Sequence, residues 1–173
     1  MVKKHVKWIC ISGSWRKANN KIEIDVRNCV RKILRGGNGV ITGGALNIDY
    51  IATDEVMRIN PSLNKLKIYL PSTFEIFAAH FRKRAIEGVI TRQQAEDLIA
   101  LIKRVEQINP NAIIEDKTNK ELNKQTYYER NTKEINASDE LYAFQVNNSL
   151  GTEDTIKKAK EKGIPVEIFS YFI

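Results

Sequence analysis

The sequence predicts a three-layer, Rossmann-like α/β fold around a mainly parallel sheet of about five strands. Two observations predict it. Short apolar runs alternate with stretches whose apolar residues recur at helical spacing, the pattern of successive βα units. Three of the apolar runs end in short Gly, Ser or Asn loops that lead into helices. With 173 residues and no internal repeat, low-complexity tract or linker, the chain reads as a single domain, residues 1–173.

The elements follow in order. Val6 to Ile11 is a buried strand running into Ser12-Gly13-Ser14. Ile22, Val26, Cys29, Val30 and Ile33 form one helical face, stopped by Gly36-Gly37. Val40-Ile41-Thr42 is a second strand, followed at once by Gly43-Gly44. A helix starts near Asn47, with Ile48, Ile51, Ala52, Val56 and Ile59 on one face, and Pro61 ends it. Leu66 to Leu70 is a third strand. Two helices then form an insertion near residues 72–124: Phe74 to Ala85, and one opened by the capping box Thr91-x-x-Gln94 and ended before Pro110. Asn111 to Gln125 is polar apart from Ile113-Ile114 and reads as a mobile loop or lid. A helix resumes near Thr126 and runs to about Asn136. Leu141 to Val146, Thr152 to Lys162 and Val166 to Phe169 complete a final βαβ unit.

Composition bounds the function. Hydrophobic residues make up 42% and charged residues 28%, the balance of a soluble globular protein. No apolar run approaches the roughly 18 residues of a membrane span. Met1-Val2-Lys3-Lys4-His5 is basic, but the apolar stretch behind it is too short for a signal peptide and reads as a strand. Cys10 and Cys29 fit core positions in a reduced, cytoplasmic setting, and with His5 and His80 they form no metal pattern. Neither a metal nor a cofactor is expected. A net charge of +7 favours anionic ligands, although the lysines are scattered.

In an open parallel sheet, ligands sit beyond the carboxyl ends of the strands, where the strand order reverses. Three loops leave such ends: Ser12-Gly13-Ser14, Gly43-Gly44-Ala45 and Asn148-Ser149-Leu150-Gly151-Thr152. Helix N-termini there offer free amides and partial positive charge, and glycine permits close approach. Neither Gly-x-Gly-x-x-Gly nor a P-loop motif is present, which argues against an ordinary NAD enzyme and a P-loop NTPase.

Gly43-Gly44-Ala45-Leu46-Asn47-Ile48-Asp49 resembles the second-strand motif of the SLOG superfamily. That superfamily joins the DNA-processing protein A (Smf) family to the Lonely guy and lysine-decarboxylase-like phosphoribohydrolases. The DNA-processing branch carries a third glycine where this chain has Asn47. Further similarity lies in Tyr128-Glu129-Arg130-Asn131, Ala137-Ser138-Asp139-x-Leu141, Asn148 to Thr152, and Gly163-Ile164-Pro165-Val166. The resemblance covers nearly all of the chain except roughly residues 72–124. It implies a Rossmann-like fold that binds nucleotides, nucleotide-derived signals or single-stranded DNA, and homodimers, since members often self-associate.

The resemblance departs at the chemistry. In the phosphoribohydrolases, a catalytic Glu follows Gly-Thr after two residues, and nucleoside deoxyribosyltransferases have a comparable arrangement. Here that position is Thr155, with Glu153 and Asp154 one and two residues after Gly151-Thr152. Cleaving an N-glycosidic bond needs a carboxylate against the developing positive charge. Glu129, Glu153 and Asp154 are the candidates. The expected ligand-binding residues are Ser12, Gly13, Ser14, Gly43, Gly44, Arg130, Asn131, Ser149, Gly151 and Thr152. Arg130 is the phosphate candidate, its alternative a surface pair with Glu134. Asn131 either bonds ligand or braces a loop. Trp15 either stacks on a base or packs on its own helix, and at least one of Tyr127 and Tyr128 is core. Asp49 is expected to brace the Gly43-Gly44 turn. Three functions follow, in order of preference: a nucleotide-binding protein, a hydrolase of nucleoside monophosphates, and a single-stranded DNA binder.

Overall fold

The computed structural model describes residues 4–173; the first three residues of the basic N-terminal stretch lie outside the described residues. Six parallel strands form one sheet: β1 (Trp8–Gly13), β2 (Gly39–Thr42), β3 (Leu66–Tyr69), β4 (Ile113–Ile114), β5 (Glu140–Val146) and β6 (Val166–Tyr171). The strand order is β4-β3-β2-β1-β5-β6. Between them run α1 (Asn20–Arg35), α2 (Ile48–Ile59), α3 (Phe74–Ile86), α4 (Arg92–Ile108), α5 (Lys124–Asn136) and α6 (Leu150–Lys162).

The order of strands dictates the layers. From β1 to β4 the chain steps in one direction, and right-handed crossovers then put α1 to α4 on one face. From β4 it returns past β1 to β5 and steps the other way, which places α5 and α6 on the opposite face. The side chains divide accordingly. Ile9 and Ile11 of β1 join the larger core beneath α1 to α4, whereas Cys10 joins the smaller one with Ile135 of α5 and Ile156 and Ala159 of α6. The strand direction of numbering reverses between β1 and β5, so the loops after these neighbouring strands splay apart there.

Two expectations change. Ile113-Ile114 is a sixth strand at the sheet edge, paired with Ile68 and Tyr69 of β3. The polar stretch behind it is tied down by side chains. Glu115 accepts the amide of Phe74, Asp116 pairs with Lys133, and Asn119 donates to the carbonyl of Pro71. A two-residue strand flanked by polar residues carries too little pattern to be read from sequence. Helix α5 also begins two residues earlier than expected, because Asn123 and Thr126 form a reciprocal capping box. Among the described residues, no helix is long and apolar enough to cross a membrane.

Candidate functional site

A cavity of about 800 Å³ opens over the point where the strand order reverses. Its floor comes from Ser12, Gly13 and Ser14 at the end of β1 and from Asn147 to Thr152 after β5. One helix supplies a stripe at helical spacing, Lys124, Tyr127, Tyr128, Arg130 and Asn131 of α5. The insertion supplies the far wall, with His80, Phe81 and Arg84 of α3 and then Val89, Ile90 and Leu122. Five basic side chains line the cavity (Arg16, Lys17, Arg84, Lys124 and Arg130) against one carboxylate, Asp49.

The first turn of α6 is built open. Asn147 and Asn148 both take positive φ, 50° and 53°, and turn the chain sharply from β5 into the helix. Asparagine is one of the few residues that tolerates this conformation. Four helices, α1, α3, α4 and α5, cap their own N-termini with a side chain. In α6 the Ser149 side chain makes no such bond. The amides of Leu150, Gly151 and Thr152 precede the first intrahelical donor and find no partner among the described residues. Thr152 is 1% exposed, and its buried hydroxyl also lacks a partner. An unpaired buried hydroxyl in a cavity wall costs stability unless something else bonds it.

Arg130 lines the same cavity, its side chain 10% exposed. Its Nη1 donates to the carbonyl of Gly43. Its Nε lies 3.2 Å from a Glu134 carboxylate oxygen, an ion pair by distance but poorly aligned for a hydrogen bond. Its guanidinium lies 5.5 Å from the Tyr127 ring centre. The pair with Glu134 anticipated from sequence therefore exists, but it is buried. Gly43 must be glycine for this packing: a Cβ there would fall 2.5 Å from Arg130 Nη1. Asp49 accepts the amides of Gly43 at 3.2 Å and Ala45 at 3.1 Å, the bracing role expected of it. Burial raises the carboxyl of Asp49, with Arg130 pulling against it, and holds Glu134 up at about 8. Asn47, where the related motif has glycine, takes φ 60° and ψ −104°, a region glycine favours. Its side chain offsets part of the strain by donating to the Trp15 carbonyl at 2.5 Å.

The structure brings most of the predicted binding residues to one place. Ser12, Gly13, Ser14, Arg130, Asn131, Ser149, Gly151 and Thr152 all line the cavity. Gly43 and Gly44 do not; Gly43 packs against Arg130, and Gly44 against Leu70 and Ile68. Of the three carboxylates considered for catalysis, Glu129, Glu153 and Asp154, none lines it. Glu129 accepts from Asn119 and Gln125. Asp154 accepts from Asn131 at 3.0 Å and from Lys158 at 2.7 Å, which joins α5 to α6. Thr155 is fully buried and bonded to the Gly151 carbonyl and to Ser12. Trp15 is 36% exposed at the cavity rim, with the Arg16 guanidinium 4.9 Å from its ring centre. Sequence reasoning missed the wall made by His80, Arg84, Val89 and Ile90, because nothing in their local pattern distinguishes a cavity wall from a solvent face.

The sequence matches no protein-family model and no curated protein. Solved structures match it closely in backbone. One is DNA processing protein A from Helicobacter pylori, described for its single-stranded DNA binding mode, with TM-score 0.67 and 18% identity over 94% of this chain. Another is the molybdenum cofactor binding protein of Rippkaea orientalis, with TM-score 0.61 and 16% identity over 97% of this chain and 78% of that one. A third is the structural-genomics target TM1055, with TM-score 0.54 and 14% identity over 93% of this chain and 72% of that one. This chain spans 64% of the length of the Helicobacter protein. The chain shares with all three a Rossmann-like α/β fold.

Proposed function

We propose that the protein binds a nucleotide or nucleotide-derived ligand in this cavity, with a phosphate at the first turn of α6. The observation that carries the reading is the buried, unpartnered Thr152 hydroxyl in a helix turn with no side-chain cap. Three free amides, a hydroxyl donor and the partial positive charge of the helix end suit a phosphate. Arg130 flanks the same turn, and the base lies against the Ser12 to Arg16 loop. A hydrolase would need a carboxylate at the ligand. The three candidates lie outside the lining, and Asp49 is committed to two backbone amides. Binding is therefore favoured over cleavage.

A second reading, single-stranded DNA binding, is favoured by the five cations of the lining and by what the Helicobacter neighbour is described as binding.

A thermal-shift screen against nucleoside monophosphates tests the first reading, because a ligand of the folded state raises the melting temperature. Arg130→Ala is expected to weaken the best ligand at least about tenfold, or 1.4 kcal/mol. An affinity within twofold of the parent protein would place the phosphate elsewhere. Free base released on incubation would restore the hydrolase. For the second reading, affinity for a single strand should fall steeply with salt.

A further inference from the structure

Resting on the nucleotide-binding reading, we infer that the insertion builds a second nucleotide subsite, so that the cavity takes a ligand of two nucleoside units joined through phosphate. The first unit engages Arg130, the α6 turn and the β1 loop, and leaves the opposite wall unused. That wall contributes His80 and Arg84 of α3, which meet Tyr127 and Lys124 from the first turn of α5. The His80 ring of α3 meets the Tyr127 ring of α5 edge-on, with centres 6.2 Å apart. Both residues line the cavity. Burial, helped by Arg84, lowers the proton affinity of His80 and keeps its ring neutral at neutral pH, a suitable stacking surface for a base.

Arg84 lies one helical turn beyond His80, and Lys124 one turn before Tyr127. Arg84 pairs with Glu87 in a partly exposed contact of the kind that contributes little and exchanges readily. Lys124 has no carboxylate partner among the described residues and lies 5.4 Å from the Tyr128 ring centre. Two cations beside two rings, adjoining the proposed phosphate site through Tyr127 and Arg130, repeat the requirements of a nucleotide. A single phosphate carries at most about two negative charges, and the lining holds five basic groups. The volume of about 800 Å³ lies in the upper part of the range for ligand cavities.

The experiment compares a nucleoside 5′-monophosphate, a 5′-phosphorylated dinucleotide and a 5′-phosphorylated decamer by calorimetry. The full chain and its R84A/K124A variant are used. The dinucleotide should bind at least about tenfold more tightly than the monophosphate. R84A/K124A should remove most of that gain and leave the monophosphate affinity within twofold, with an unchanged melting temperature. His80→Ala should remove part of the gain by a different route. A decamer that binds more tightly than the dinucleotide identifies the end of a single strand as the source of the two units. Equal binding identifies a free dinucleotide. If the monophosphate binds and the dinucleotide gains nothing, or R84A/K124A weakens both equally, the second subsite is refuted and the first reading stands. If no nucleotide binds, the underlying reading fails.

Discussion

The loop after β2 and the loop after β5 look alike in sequence, each a short polar turn with glycine entering a helix, yet they do opposite things. Gly43-Gly44-Ala45 is closed by its own protein. Asp49 takes the amides of Gly43 and Ala45, Arg130 takes the Gly43 carbonyl, and the guanidinium covers the glycine. Asn148 to Thr152 is left open in the cavity lining, with uncapped amides and a buried hydroxyl that has no partner. A glycine before a helix therefore signals close approach of something, and that something is an internal side chain in one loop and empty space in the other.

The comparison breaks most sharply at glycine itself. Gly43→Ala should displace Arg130 from its buried place between Gly43, Asp49 and Glu134, a loss of about 3–5 kcal/mol in urea denaturation. The same change at Gly151, where an added Cβ meets nothing within 4 Å, should leave stability unchanged or slightly higher. Equal losses at the two sites would erase the distinction.

A next largest effect concerns the buried carboxylates behind the closed loop. Glu134 is held at about 8 against an ordinary value of 4.5, so the folded state favours its protonated form. That contribution is complete below the unfolded value and is lost as pH rises through the folded one. Unfolding free energy should fall by roughly 4 kcal/mol between about pH 5 and pH 9, and Glu134→Gln should flatten the profile. A variant profile parallel to the parent's would show that Glu134 does not titrate in this window.

The smallest effect sharpens the open loop. Thr152→Val keeps the shape and removes the unpartnered hydroxyl. Stability should change by no more than about 0.5 kcal/mol, while nucleotide affinity drops about tenfold. If stability falls instead, the hydroxyl serves the fold.

Much of the fold was legible because it rests on local periodicity. The run Val40-Ile41-Thr42 is buried without alternation because helices cover both faces of its strand. The capping box at Thr91 appears as read. Ile113-Ile114 escaped because two residues carry no period. At the site, the approach of Arg130, Asn131 and the Ser149 to Thr152 turn followed from the order of the elements. The closure of the Gly43 loop did not, since it depends on a guanidinium 87 residues away in sequence.

By itself, the sequence determined the alternation of strands and helices and the three polar loops at one edge of the sheet, because both arise from residue spacing and turn chemistry. Only the tertiary structure decided which loop is sealed, which carboxylates are removed from the cavity, and that the insertion supplies its far wall. Those outcomes depend on which side chains meet across the sheet, and contacts between distant residues leave no periodic trace in the chain.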